Sequence, residues 1–395
     1  MSTTSSPRTA PHASLADVEA LRRAEFPWAT RGERIYLNNA STGPLPRRTV
    51  EAIAAFTAKR AEPWRLSQEE QFAALDRGRE LVARLVGARA SEIALMVNTG
   101  YGINLAASAL PLRRGDVVLT FDREFPANVY PWMARERDGV RLERIPCVDG
   151  LPDEQRLLEE IGRPEVRAVA ISWVQFSNGW VADLAAIGRR CRERGVWLVV
   201  DGIQGVGARE LDLGALDVDI LACGAQKWLL SPWGTGFVRV REELVRELEP
   251  ASVGWMSVRG SDDFTRLVEY DLTWREDARR FEMVTLPFQD FAGMDASLEL
   301  LLELGTAAVS RRVEALTGRI VAWARGRDGV RLLTPPGRRA GIVSLVPRGE
   351  AEGASRRLEA AGVAHSLREG AIRLSPHCYN TEGEVDRALE VLAEG

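Results

Sequence analysis

Asp201 follows the apolar run 196–200, and Lys227 follows the run 218–223 with Gly224, Ala225 and Gln226 between. Both runs are short, rich in β-formers and bounded by turn residues, the pattern of buried parallel strands. A carboxylate and an amine therefore emerge at strand ends, the edge where open α/β sheets bind ligands. The carboxylate can keep a ring nitrogen protonated and the amine can form a Schiff base, the pair that pyridoxal 5'-phosphate (PLP) chemistry requires. Singly, a strand-end Asp also serves as a cap or turn residue, and a Lys before Trp-Leu-Leu as a snorkelling surface chain. It is the joint pattern, DGIQ at 201–204 and QKWLLSPWGTGF at 226–237, that is specific.

The elements that must position this pair alternate as strand and helix. Strands are predicted over 93–97, 117–121, 166–174, 196–200, 218–223 and 237–240, and helices over 15–26, 47–60, 68–86, 103–109, 153–161 and 182–194. Beyond 240 the alternation weakens. Helices over 288–304 and 306–325 lead to a smaller α/β segment: strand 341–346, helix 351–361, strand 371–375 and a closing helix from 382.

Composition narrows the function classes. With 395 residues, 45% apolar and 27% charged, the chain reads as a globular enzyme of two unequal domains. Its 52 basic and 56 acidic residues are interspersed for a net charge of -4, so no basic stripe advertises nucleic acid or an anionic membrane. The four cysteines, Cys147, Cys191, Cys223 and Cys378, show neither metal-ligand nor disulfide-framework spacing and read as reduced thiols of a cytoplasmic protein. The Ser/Thr/Pro-rich stretch 1–14 has no apolar signal core and reads as a disordered lead-in.

On these residues the chain, from 35 to its C-terminus, resembles the class V aminotransferase group of PLP fold type I, which includes cysteine desulfurase/selenocysteine lyase, kynureninase and isopenicillin N epimerase relatives. Further matching segments are YLNNASTGPLP at 36–46, RFEMVTLP at 280–287 and RLSPHCYNT at 373–381. The resemblance implies an α/β fold: residues 1–28 as an arm joining the small domain, 29–287 as a large domain with a mostly parallel seven-stranded sheet, and 288–395 as a small domain.

It also implies roles. Lys227 is the Schiff-base lysine, Asp201 the partner of the pyridine nitrogen and Gln204 that of the phenolic oxygen. The turn Asn98-Thr99-Gly100-Tyr101 becomes a phosphate cradle, through the Thr99 hydroxyl and the Gly100 and Tyr101 N–H groups, since a helix start offers free donors and a positive dipole end. Phe125 stacks on the cofactor ring where desulfurases carry a His. Either Phe176 or Asn178 faces the cofactor: the gapless match gives the first and the chemistry the second. Asn39 passes beside the substrate or, with Ser41, caps the helix beginning near Pro46. Arg373 anchors the substrate carboxylate with a planar two-pronged donor. Thr285 reaches the phosphate of a neighbouring subunit, implying a homodimer. Two departures are visible: Gly224 and Gln226 stand where many relatives have Ser and His.

Transamination needs one mobile base and fits this residue set with fewest additions. β-Elimination by a C–S lyase or desulfurase-like enzyme, and epimerisation, are the alternatives. Residues 337–372 contain no Cys to serve as a loop nucleophile. The presence of both Lys227 and Asp201 argues against a catalytically dead scaffold. Trp233, Trp255 and Arg259 are guesses for the pocket wall.

Overall fold

A computed structural model describes residues 15–394; the lead-in at 1–14 lies outside the described residues. The main sheet has seven strands: β1 (Ile93–Leu95), β2 (Val117–Phe121), β3 (Arg141–Ile145), β4 (Val166–Ser172), β5 (Trp197–Asp201), β6 (Ile220–Gly224) and β7 (Gly236–Val240), in the spatial order β1-β7-β6-β5-β4-β2-β3. Pairing is parallel except for β7, which runs antiparallel to both neighbours. The expected seven-stranded, mostly parallel sheet is thus present.

Alternate residues of each central strand point to opposite faces. Leu198, Val200, Ile171, Leu221 and Phe237 join one hydrophobic core, and Val199, Ala170, Ile220, Ala222 and Val238 join the other. Burial of both faces explains why these strands read as continuous apolar runs. The register places Asp201, the last residue of β5, opposite Ser172, the last of β4, and opposite Ala222, from which β6 runs two residues further to Gly224.

Helix boundaries follow capping chemistry. Asp183 accepts the Ala186 N–H to start Leu184–Arg194, and Gly195, at φ 63°, ends it in the left-handed region. Asn98 caps Thr99–Ala109, which therefore starts four residues before the predicted 103. Pro46 precedes Arg47–Ala61 without a side-chain cap, so neither Asn39 nor Ser41 caps that helix.

The carboxy-terminal residues build a four-stranded antiparallel sheet from β8 (Arg331–Leu332), β9 (Val343–Val346), β10 (Ser366–Arg368) and β11 (Ala371–Leu374), ordered β8-β9-β11-β10. Leu345, Ile372 and Leu374 pack with Leu316, Ile320, Leu358, Val385 and Leu389 of the neighbouring helices in a third core. Two backbone pairings join the amino-terminal segment to the carboxy-terminal residues. Ile35–Tyr36 pairs in parallel with Val363–Ala364, and Asn38 bridges Ser375. Helix Phe288–Leu304 sends Phe291, Met294 and Leu298 into the core of the main sheet.

Candidate active site

The loop carrying Lys227 is held from three directions. Gly224 donates its N–H to Thr99 Oγ1 at 2.8 Å. From the amino-terminal segment, the Gly43 N–H donates to the Gln226 carbonyl at 2.8 Å and Asn39 Nδ2 to the Lys227 carbonyl at 3.2 Å. A Cβ at Gly43 would overlap that Lys227 oxygen, so the approach requires glycine. From the carboxy-terminal side, His377 Nε2 donates to the Trp228 carbonyl at 3.1 Å while its Nδ1 accepts the Cys378 N–H. Its ring lies between those of Trp228 and Tyr379, with centroids 5.5 and 5.8 Å away. Burial pushes His377 down to about 4, so it packs as a neutral ring.

Asp201 is 3% exposed and takes one hydrogen bond, from the Ile203 N–H at 3.0 Å. Burial raises its pKa to about 6, although that N–H and the Lys227 charge both favour the ionised form. Burial lowers Lys227 to about 8, with Asp201 opposing and Arg373 and Arg368 reinforcing the shift. A carboxylate so poorly solvated gains from a cation placed against it, which a protonated ring nitrogen supplies.

Arg373, on β11, is 2% exposed. It donates to the Phe176 carbonyl and to Ser41 Oγ, both at 2.8 Å, while its buried Nε has no partner. Among the described residues no carboxylate pairs with it, and burial lowers it to about 10. A buried guanidinium with an unmatched donor is a seat for an anion that the chain itself does not provide.

Phe125 is 44% exposed at the end of the β2 turn, its centroid 5.8 Å from Lys227 Nζ and 5.3 Å from the Phe176 ring at 76°. Glu124 fastens this turn from beneath, accepting from the Ser172 N–H and hydroxyl, Gln175 Nε2 and Asn128 Nδ2. At the other end, Thr99 Oγ1 faces Gly224 and retains its own proton to donate. Among the described residues the Gly100 N–H has no partner, whereas the Tyr101 N–H is already taken by Asn98 Oδ1 at 2.8 Å.

The structure thus gathers Asp201, Lys227, Thr99, Phe125 and Arg373, and it qualifies other expectations. Gln204 donates to the Ala40 carbonyl and accepts from Trp228 Nε1, so one N–H remains for a cofactor oxygen. Asn39 sits between the Lys227 carbonyl and the Tyr379 hydroxyl, fully buried. Asn178 is turned to the Gly150 carbonyl and the Trp180 N–H, and it is Phe176 that stands against Phe125 and Arg373. Thr285 is exposed, with Glu282 anchoring its segment on Arg79 and the Leu95 N–H. Trp255 and Arg259 line a surface cavity that includes none of the Lys227 cluster. Sequence reasoning missed Glu124 and His377; for the latter, its place inside RLSPHCYNT was the available signal.

These residues fit PLP. Among the described residues the carboxylate at the centre has no direct ion pair, the Lys227 charge acting on it only through space, and the arginine at the edge has no anion. No helix among the described residues is long and apolar enough to cross a membrane.

Comparison with known proteins agrees. Residues 35–388 match the family described as Aminotransferase class-V. The chain is 32% identical to isopenicillin N epimerase of Streptomyces clavuligerus, covering 91% of this chain and 94% of that protein. It is 30% identical to a probable cysteine desulfurase of Aeropyrum pernix, covering 94% and 96%. Among solved structures, the cystine C–S lyase C-DES in complex with its product cysteine persulfide superposes with a TM-score of 0.85 at 25% identity, covering 93% of this chain and 99% of that one. A C-DES mutant with glycine covalently linked to the PLP cofactor gives 0.86 at 25% identity, covering 94% and 99%. The chain therefore belongs to the class V aminotransferase family and is a PLP-dependent enzyme of that family.

Proposed function

We propose that this enzyme transaminates an amino acid, with Lys227 as the single base that moves the Cα proton. The observation that carries this reading is the setting of Lys227: the amine, lowered to about 8, stands 5.8 Å from the ring of Phe125, which packs on Phe176, and the groups that act on its charge are Asp201, Arg373, Cys223 and Arg368, with no histidine or second lysine among them. When bound, PLP supplies a Schiff-base carbon for the lysine and an electron sink for the substrate Cα.

The chain's own residues do the remainder. Arg373 would hold the α-carboxylate and so orient the substrate Cα for the lysine. Asp201, ionised, holds a proton on the ring nitrogen. Lys227, its pKa lowered by burial to about 8, can take a proton at Nζ and return it. Phe125 would cover the cofactor ring, and the Thr99 hydroxyl and Gly100 N–H would hold its phosphate. Thr285, exposed and held out by Glu282, fits a role toward the phosphate of a second copy in a homodimer. Four free cysteines fit a reducing, cytoplasmic setting.

Desulfurase chemistry by a protein thiolate finds no support in the cysteines. Cys223 and Cys378 are buried with raised pKa values, the latter pushed up to about 12, and Cys147 and Cys191 are raised as well. The likeness to an epimerase favours a second reading, racemisation at Cα. Single-turnover mixing separates them. Transamination releases one keto acid per site from an amino acid alone and stops until a keto acid is added. Racemisation exchanges the Cα hydrogen with solvent deuterium and releases none. A C–S lyase forms pyruvate catalytically without any acceptor.

A further inference from the structure

The hairpin joining β10 to β11 carries a second arginine toward the same site. Antiparallel pairing sets Ser366 opposite Arg373, Leu367 opposite Ile372 and Arg368 opposite Ala371. Directly paired residues share a face and alternate ones point away, so Ser366, Arg368 and Arg373 lie on one face, while Leu367 and Ile372 point to the third core. That face is the site face. Ser366 Oγ donates to Asn38 Oδ1 at 2.6 Å and lies 3.0 Å from Ser41 Oγ, which in turn accepts from Arg373. Arg368 is the diagonal neighbour of Arg373, with Cβ atoms about 7–8 Å apart in such a pair.

Three further observations mark Arg368. It is exposed, and its side chain forms no hydrogen bond or ion pair with any described residue, unlike that of its neighbour Glu369, which pairs with Arg123 at 3.2 Å. It is close enough for its charge to lower the pKa of both Lys227 and Arg373. Its backbone is fixed by a two-residue turn, Glu369 at φ 49° and Gly370 at φ 72°, the twist that tight hairpins favour. The Arg123–Glu369 pair ties this turn to the loop bearing Phe125, so the hairpin tip stands beside that loop.

We propose that Arg368 is a specificity residue that receives a carboxylate on the substrate's side chain, making the preferred substrate an acidic amino acid. Resting on the reading of an amino-acid enzyme above, the proposal assigns Arg373 to the α-carboxylate and Arg368 to the distal one. Two cations of different burial suit the two ends: the buried one fixes the invariant group, and the exposed one, on a long flexible stem, adapts to the variable group.

The test uses PLP-loaded enzyme and two pairs of ligands. Glutarate against butyrate, neither of which can react, is titrated by calorimetry; glutamate against glutamine is followed by the change in cofactor absorbance. Wild type should favour the dicarboxylate member of each pair by roughly 10- to 100-fold, the scale of a charge-assisted contact. Arg368→Gln should abolish that ratio while leaving butyrate and glutamine binding within about two-fold, and Arg368→Lys should restore part of it. Arg373→Gln should instead weaken both members of each pair. An unchanged glutarate/butyrate ratio in Arg368→Gln, or no such preference in wild type, overturns the proposal. If glutarate preference depends on Arg368 but no amino acid alters the absorbance, the anion site stands and the transamination reading falls.

Discussion

Asn39 donates its side-chain amide to the main-chain oxygen of Lys227 at 3.2 Å while its own oxygen accepts the Tyr379 hydroxyl at 3.1 Å. One buried amide thereby links the amino-terminal segment, the Lys227 loop and the carboxy-terminal signature. The three segments are far apart in sequence, and the position of the lysine depends on all of them.

The adjoining Gly43 gives the sharpest test of that arrangement. Gly43→Ala places a methyl group on the Lys227 carbonyl oxygen, backbone against backbone, so the loop must move. The expected result is a stability loss of roughly 1–3 kcal/mol, typical of overpacking, together with weakened PLP retention. Wild-type values for both in the variant would show that the segment does not set the lysine loop.

Lys227→Ala should remove the visible absorbance that borohydride bleaches irreversibly in wild type, even where PLP still binds through its phosphate and Asp201. The far-ultraviolet dichroism should remain that of wild type. A variant that keeps a borohydride-reducible band would point to Lys59, the one other lysine of the sequence, which is paired with Glu70 on the surface.

Much of this site was legible in the sequence because strand ends deliver its charged residues: Asp201 closes β5, Lys227 follows β6, and Arg373 lies on β11. What could not be read depends on side-chain direction and on weak elements. Phe176 and Asn178 are separated by a single residue, and only the turn, in which Asn178 bonds the Trp180 N–H, decides which approaches Phe125. Strand β3 lies at the sheet edge, and its exposed Arg141 and Arg144 break both the apolar run and strict alternation. Strand β10 is three residues long, and its pairing with β11 is what brings Arg368 to the site. The helix start at Thr99 was obscured by Gly100 and Gly102, whose poor propensity is outweighed by the Asn98 cap.

Thr285 tests the assembly. Light scattering should give a dimer, and Thr285→Ala should lower PLP affinity without dissociating it, since the side chain is exposed while Glu282 holds the segment. A monomer with full PLP affinity would remove Thr285 from the site.

The pH dependence of the cofactor-free protein follows from Asp201. Burial raises its pKa from 3.8 to about 6, so the native state holds this proton more tightly than the unfolded chain. Its stabilising contribution is full below about pH 4 and is lost as pH rises through about 6, a change of roughly 3 kcal/mol for two pK units. Glu124 is shifted the same way, so wild type alone would not isolate the effect. The difference between wild type and Asp201→Asn does, because the amide cannot ionise. Urea denaturation of both apoproteins between pH 4 and 7 should show wild type losing ground to the variant as pH rises. With PLP bound, the protonated ring nitrogen stabilises the Asp201 carboxylate, and the order should reverse near neutrality, with turnover by Asp201→Asn falling by several orders of magnitude. A flat difference across that range in the apoproteins would mean that Asp201 is better solvated than its surroundings indicate. Near-normal turnover would mean that another group keeps the ring nitrogen protonated.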